Sequence, residues 1–300
     1  MTRAICIGEC MVELRPAGGG LLAQGYAGDA YNTAVYLKRS SPALDVKFAT
    51  VTGTDPLSVG MRAAWAAEGV GSDYAWTAPD RQPGLYLIET DAAGERCFHY
   101  WRGESAAKGW LQAVSANGGA DLLAQADLIY LSGISLAILS EADRGTALEL
   151  MRALKDRVRL AFDPNYRPAL WPTLAVAGDI IAEAGSVADI VLPSQEDLQR
   201  LYGVAEPEAQ ADLLKSWGVT EGAITTGPGR CILVQGDWVE GPAATAIVDT
   251  SGAGDSFNGA YLAARLRGDP PPAAAAAGLA LAAHVVGQRG AIISSSSELV

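Results

Sequence analysis

Six apolar runs of strand length, most of them followed by a capped amphipathic stretch, restrict this chain to a parallel α/β sheet. Residues 3 to 8, 46 to 51, 128 to 133, 158 to 162, 189 to 192 and 222 to 226 are rich in Ile, Val, Leu or Ala. Unbroken apolar runs suit strands buried on both faces, and parallel strands need a helix-length crossover between them. Repeating that unit predicts an open sheet with helices packed on it. A second pattern occupies residues 84 to 101, where Leu85, Leu87 and Thr90 precede Asp91-Ala92-Ala93-Gly94, and Arg96, Phe98 and Tyr100 follow. It predicts a β-hairpin, to which residues 11 to 15 would add a strand, either as a separate small sheet or as an extension of the main one.

Three hundred residues with 49% apolar content can bury a large core without a second full domain. The net charge of -12 argues against nucleic-acid and anionic-membrane partners, whose phosphates the protein's field would repel. Cys6, Cys10, Cys97 and Cys231 form no C-x-x-C pair, and His99 and His284 are the only histidines, so no zinc constellation is expected. Unpaired thiols suit a reducing compartment. Glu9 and Glu13 interrupt the N-terminal apolar run, so no signal peptide is expected, and the Ala-rich stretch 273 to 286 is too short and weakly apolar for a bilayer. A cytoplasmic protein is expected.

The chemistry concentrates in Asp249-Thr250-Ser251-Gly252-Ala253-Gly254-Asp255-Ser256-Phe257-Asn258-Gly259. Phe257, Ala260, Tyr261, Ala264 and Arg265 predict a helix that starts at this loop and ends at Gly268, with prolines 270 to 272 beyond. Free N–H groups at a helix start attract anions, and small residues let a phosphate come close. Asp255 in the first turn would repel a phosphate but is well placed to take a proton from a hydroxyl attacking one. The alternative is a plain helix cap.

These residues match D-T-x-G-A-G-D-x-F, the signature of the ribokinase-like (PfkB) carbohydrate kinases, which the chain resembles from about residue 3 to 292. Gly28-Asp29-Ala30-Tyr31-Asn32-Thr33-Ala34 is similar to the family's G-G-D-x-x-N-x-A sugar-binding run, with Ala27 replacing its first glycine. Gly84-Leu85-Tyr86-Leu87, Tyr100-Trp101-Arg102 and Asp163-Pro164-Asn165-Tyr166-Arg167-Pro168 resemble the branch that phosphorylates 2-keto-3-deoxygluconate. The resemblance implies a three-layer sandwich with a central, mostly parallel sheet. It implies one kinase domain over 1–300, with a small β-sheet lid from about 11–28 and 75–105. Asp255 would be the catalytic base and Gly252, Ala253 and Gly254 the anion hole. Gly28, Asp29, Asn32, Tyr86, Tyr100, Arg102 and Arg167 would bind the sugar. ATP and Mg²⁺ are implied, with a monovalent cation among the ions such kinases use, and a homodimer through the lid.

For the nucleotide, Thr225-Thr226-Gly227-Pro228-Gly229-Arg230 resembles the family's K-x-G-x-x-G loop, although Thr225 and Arg230 depart from it. Pro193-Ser194-Gln195-Glu196-Asp197 resembles N-x-x-E, which orders water and Mg²⁺ around the phosphates, so Asp197 would reach the metal through water. An acidic helix start is the other reading of that segment. Asn165, Arg167, Ser194, Thr226, Gly227, Gly229, Gly252, Gly254 and His284 are the implied nucleotide contacts. No Walker A sequence is present, and Gly18-Gly19-Gly20-Leu21-Leu22-Ala23 lacks the strand and helix a dinucleotide loop needs, which leaves a flexible loop. Gly254-Asp255-Ser256 lacks a suitably spaced Asp before either His for a serine esterase.

An acid sugar carries a carboxylate, and Arg102 and Arg167 supply planar guanidinium forks that match it. Phe98, Tyr100 and Arg102 alternate onto one side of the hairpin. The sequence reading is an ATP-dependent kinase acting on the terminal hydroxyl of 2-keto-3-deoxygluconate. A fructose, ribose or nucleoside kinase is the alternative within the class, and a non-catalytic sugar-binding regulator the alternative outside it.

Overall fold

The computed structural model describes residues 1–90 and 96–294, so the Asp91 to Gly94 turn lies outside the described residues. The strands are β1 (Arg3–Ile7), β2 (Met11–Gly18), β3 (Leu21–Ala27), β4 (Asp45–Thr52), β5 (Ala75–Thr77), β6 (Leu85–Thr90), β7 (Arg96–Trp101), β8 (Leu128–Ser132), β9 (Arg159–Asp163), β10 (Ile190–Val191), β11 (Glu221–Thr225), β12 (Arg230–Leu233) and β13 (Trp238–Glu240). Nine of them form one sheet in the order β13-β12-β11-β10-β9-β8-β1-β4-β5, and four form a second, β3-β2-β6-β7. The six apolar runs of the sequence are β1, β4, β8, β9, β10 and β11, joined in parallel as their helix-length crossovers require.

Alternation along these strands divides the core into two layers. Ile5, Ile7, Ile129, Leu131, Leu160 and Phe162 face one helical layer, while Ala4, Cys6, Leu128, Tyr130 and Ala161 face the other. Each large side chain buried this way contributes about 1.5–3 kcal/mol of transfer free energy.

The small sheet is separate from the main one. β6 and β7 pair antiparallel with Tyr86 opposite Tyr100, and β2 adds to β6 in parallel. Two sequence expectations need correction, and two strands had not been foreseen. Residues 75 to 77, expected in the lid, pair instead with β4 at the edge of the main sheet. Of the Gly18 to Ala23 stretch, read as a flexible loop, only the glycines turn, all three at positive φ, while Leu21 to Ala23 belong to β3 and pair with β2. Antiparallel β12 and β13 extend the other edge of the main sheet and carried no alternating signal long enough to be seen. Among the described residues no helix is long and apolar enough to cross a membrane.

The helix Ala253–Arg267 runs between the helices Asp29–Ser40 and Pro271–Val285, and its residues from Ser256 to Ala264 are buried all round. Gly259 makes this possible. A Cβ there would lie 2.7 Å from the Leu37 backbone nitrogen and from Tyr36 Cβ, so only glycine lets the first two helices cross this closely. The crossing brings Asn32 to Asp255 across 223 residues of sequence.

Candidate active site

From β1 the chain passes to β4 on one side, then returns to β8 on the other, so the direction of strand order reverses between β1 and β8. The adjoining loops diverge at such a point and leave a crevice beyond the strands' C-terminal ends. Here the crevice is a cleft of about 880 Å³, walled by the ends of β1 and β9, the start of the Ala253–Arg267 helix and the inner face of the small sheet. A second cavity of about 570 Å³ lies beside it, bounded by Thr226 to Gly229, Ala244, Ile247 and the Pro271–Val285 helix. Ser194, Thr250, Ala253 and Gly254 line both, so the cavities meet at the glycine loop.

The loop is shaped by Asp249. Its carboxylate accepts the Ser251 N–H at 2.8 Å and the Gly290 N–H at 2.7 Å. Gly252 then caps the helix at φ +73°, and a Cβ on it would lie 2.3 Å from Ala291 O. That carbonyl is held in turn by the Tyr36 hydroxyl at 2.8 Å. The Ala253 N–H turns back to Thr250 O at 3.3 Å, and Ser256 N–H closes onto Gly252 O. The Gly254 and Asp255 N–H groups, in the first turn, have no intrahelical acceptor by helix geometry. Gly252→Ala is expected to destabilise the fold by at least the about 1–2 kcal/mol of a left-handed non-glycine residue, with the clash adding to it. Chemical denaturation of both forms checks it.

Asp255 Oδ2 accepts Asn32 Nδ2 at 2.7 Å. Burial, and then the neighbouring Asp29 charge, push the Asp255 carboxyl up to about 7, while Asn32 and Arg167 oppose the shift. A carboxyl there is a competent base at neutral pH, because it takes a proton readily and is half ionised already. The free enzyme's kcat/KM should therefore fall about tenfold per pH unit below 7 and level off above it, as general-base catalysis requires. A pH-independent kcat/KM between 5 and 8 would remove this limb.

Gly28 caps the Asp29–Ser40 helix where any Cβ would lie 2.3 Å from Glu9 O. Asp29 accepts Asn165 Nδ2 at 3.1 Å, and Asn165 takes a positive φ of 33° just past β9. Asp163 is buried and accepts Asn258 Nδ2 at 2.8 Å. Burial, then Asp197, Asp255 and Asp29, hold its carboxyl well above the usual range. Phe98, Tyr100 and Arg102 line the cleft together, as alternation predicts, and Tyr86, opposite Tyr100 on β6, joins them. Two of them are already engaged. The Tyr86 hydroxyl donates to Glu13 Oε2, and Arg102 Nη2 to Glu9 Oε2. Tyr100 is 51% exposed, its ring 5.9 Å from the Arg102 guanidinium carbon. Arg167 also lines the cleft, half-exposed and 3.8 Å from Asp197 Oδ1.

On the other side of the glycine loop, Ser194 caps the Gln195–Tyr202 helix by accepting Asp197 N–H at 3.1 Å. The Asp197 carboxyl is raised by burial, which Arg167 partly offsets. Thr226, Gly227 and Gly229 line the second cavity. Arg230 does not reach it, because its guanidinium stacks 4.4 Å over the Trp238 ring. His284 is not brought there either. It is exposed, and its ring nitrogen pairs with Gln288 Nε2 at 3.0 Å, while Ala282, Ala283 and Val286 form the wall.

Sequence reasoning did not single out Glu9, Glu13, Asp163 and Asn258 as site residues. A signal existed for the two glutamates, since each interrupts an otherwise apolar strand region and each is buried. Asn258 gave none, being one polar residue on a helix whose other faces are also buried.

The chain was compared with known proteins. Residues 1–298 match the pfkB family carbohydrate kinase. The "2-dehydro-3-deoxygluconokinase" of Dickeya dadantii (strain 3937) is 41% identical over 296 residues, covering 96% of this chain and 95% of that protein. The protein of the same name from Escherichia coli (strain K12) is 39% identical over 96% of each. A crystal structure of 2-dehydro-3-deoxygluconokinase from Thermotoga maritima superposes with a TM-score of 0.84 at 22% identity, over 98% of this chain and 96% of that one, and shows the fold. With the glycine loop, its aspartate and the cleft beside the small sheet assembled as described, this chain belongs to the pfkB family of carbohydrate kinases.

Proposed function

We propose that this protein is a 2-dehydro-3-deoxygluconokinase, transferring the terminal phosphoryl group of ATP to the 6-hydroxyl of 2-keto-3-deoxygluconate, the same acid sugar under its other name. The observation that carries the reading is the placement of Asp255 beside the junction of two cavities, on the wall of a cleft that also holds the Arg102 guanidinium. Asp255 takes the proton of the hydroxyl as its oxygen bonds to phosphorus and the bond between the β- and γ-phosphoryl groups breaks, releasing ADP. The Gly254 N–H and the helix dipole stabilise charge on the transferring group. Asn32 orients the base through its 2.7 Å hydrogen bond.

Arg102 and Tyr100 receive the sugar at its carboxylate end, with Gly28, Asp29 and Tyr86 shaping the rest of the pocket. Among the described residues no group of three or more metal-ligating side chains converges. A divalent ion would be held chiefly by the nucleotide's phosphates, and Asp197 would reach it through water. Mg²⁺ bound this way would neutralise phosphate charge in an otherwise acidic cleft. The reading extends to a cytoplasmic homodimer formed through the small sheet, where β3 and β7 are edges and Leu21 and Trp101 are 70% and 60% exposed.

A coupled assay of ADP release tests it across 2-keto-3-deoxygluconate, its galactonate epimer, fructose, ribose and adenosine, with Mg²⁺ and K⁺ omitted in turn. The highest kcat/KM is expected with the acid sugars. A preference for a neutral sugar or a nucleoside would replace the substrate and keep the kinase; no phosphorylation of any of them, with retained sugar binding, would favour a binding protein on this fold.

A further inference from the structure

The Arg102 guanidinium is held in place by a buried carboxylate that sequence reasoning assigned no role. Glu9 lies two residues beyond β1, at the crevice end of the main sheet, and is 1% exposed. Arg102 follows the last residue of β7 in the small sheet, and its side chain is 12% exposed. Their ion pair therefore crosses from the core to the lid. It is closely caged. A Cβ on Gly84, the residue before β6, would lie 2.7 Å from Glu9 Oε1 and 3.2 Å from Arg102 Cβ. The Tyr100 ring flanks the guanidinium on another side.

Stability does not account for this pair. Burial raises the Glu9 carboxyl, and the pull of Arg102 and the nearby Ser105 hydroxyl offsets only part of that, so on balance the fold disfavours its charge. Ser105 makes no well-aligned hydrogen bond to it. Glu9 Oε1 and Arg102 Nε are both buried without a hydrogen-bond partner. A buried pair left half satisfied is often less favourable than apolar residues of the same volume. Both residues also line the cleft. A free arginine side chain carries considerable rotamer entropy, which a carboxylate ligand would have to overcome in ordering it. An arginine already ordered by Glu9, Gly84 and Tyr100 avoids most of that loss.

We propose that Glu9 is a specificity-determining positioning residue: acting through Arg102, it holds the guanidinium in the orientation that receives the substrate's carboxylate. The inference rests on the acid-sugar reading above. It requires that Glu9 matter for acid sugars and not for neutral ones, and only while Arg102 is present.

The test measures KM and kcat for 2-keto-3-deoxygluconate and for fructose in wild type, Glu9→Gln, Arg102→Ala and the double variant. Glu9→Gln is expected to raise KM for the acid sugar about tenfold, with kcat and the fructose constants within about threefold, as loss of pre-organisation would do. Added to Arg102→Ala, it should change nothing further. Equal losses on both sugars, a lower KM for the acid sugar, or an undiminished effect without Arg102 would each overturn the role. Should Glu9→Gln fail to fold, Gly84→Ala pushes the pair apart without altering its charges and is expected to raise the acid-sugar KM selectively; an unchanged KM overturns the proposal equally. A wild type with no preference for the acid sugar defeats the substrate reading and this inference together, whereas a clear preference that survives every variant defeats the inference alone.

Discussion

Asp255→Asn should leave a folded protein that binds ATP and turns over its sugar roughly 10²–10⁴-fold more slowly, the usual share of a positioned base. The amide keeps the shape and can rotate to offer its oxygen to Asn32, but it cannot accept the hydroxyl proton. The same substitution should not weaken the fold. Folded Asp255 holds its proton up to about 7, above the roughly 3.9 of an unfolded chain. The folded state therefore binds more protons between those values, and its stability falls as pH rises through that window. Removing the ionisable group removes the loss, so Tm of Asp255→Asn at pH 8 is expected to equal or exceed that of wild type. Near-normal turnover with a normal Tm would return Asp255 to the role of a helix cap.

Arg102→Ala is expected to lower kcat/KM for 2-keto-3-deoxygluconate by roughly 10–150-fold, corresponding to a charge-assisted pair of about 1.5–3 kcal/mol, and to affect fructose much less. The structure adds a condition to this experiment. Arg102 is the partner of buried Glu9, and removing one member of a buried pair costs about 3–5 kcal/mol of stability. Selectivity therefore has to be read as the ratio between two sugars on one preparation, which a general loss of folded protein does not alter. Arg102→Lys supplies the second comparison, since it keeps the charge but loses the planar fork and should fall between wild type and alanine. An equal fall for both sugars would take Arg102 out of carboxylate recognition. Arg167 is the poorer probe, because it lies 3.8 Å from Asp197 near the glycine loop and its loss would touch turnover of every substrate.

Much of this molecule was legible one residue at a time. The parallel sheet follows from apolar runs whose length and spacing leave no other way to bury both faces, and the anion loop follows from small residues at a helix start. Asp255, Gly252 and Gly254 could be named because their chemistry depends on neighbours in the chain. What tertiary structure decided was pairing over long separations. Asn32 reaches Asp255 only because Gly259 lets two helices cross, and Arg102 meets Glu9 only because the small sheet folds back over the end of β1. Tyr86 was expected to bind the sugar, and its hydroxyl is donated to Glu13, on a strand that joins β6 in parallel. His284 and Arg230 fell near the second cavity in sequence, yet one is turned to Gln288 and the other onto Trp238. Local pattern determines which backbone forms and which groups are available; the direction in which a polar side chain points is set by the partners it finds, from 4 to 223 residues away here, and most of those come within reach only once the sheets and helices have packed.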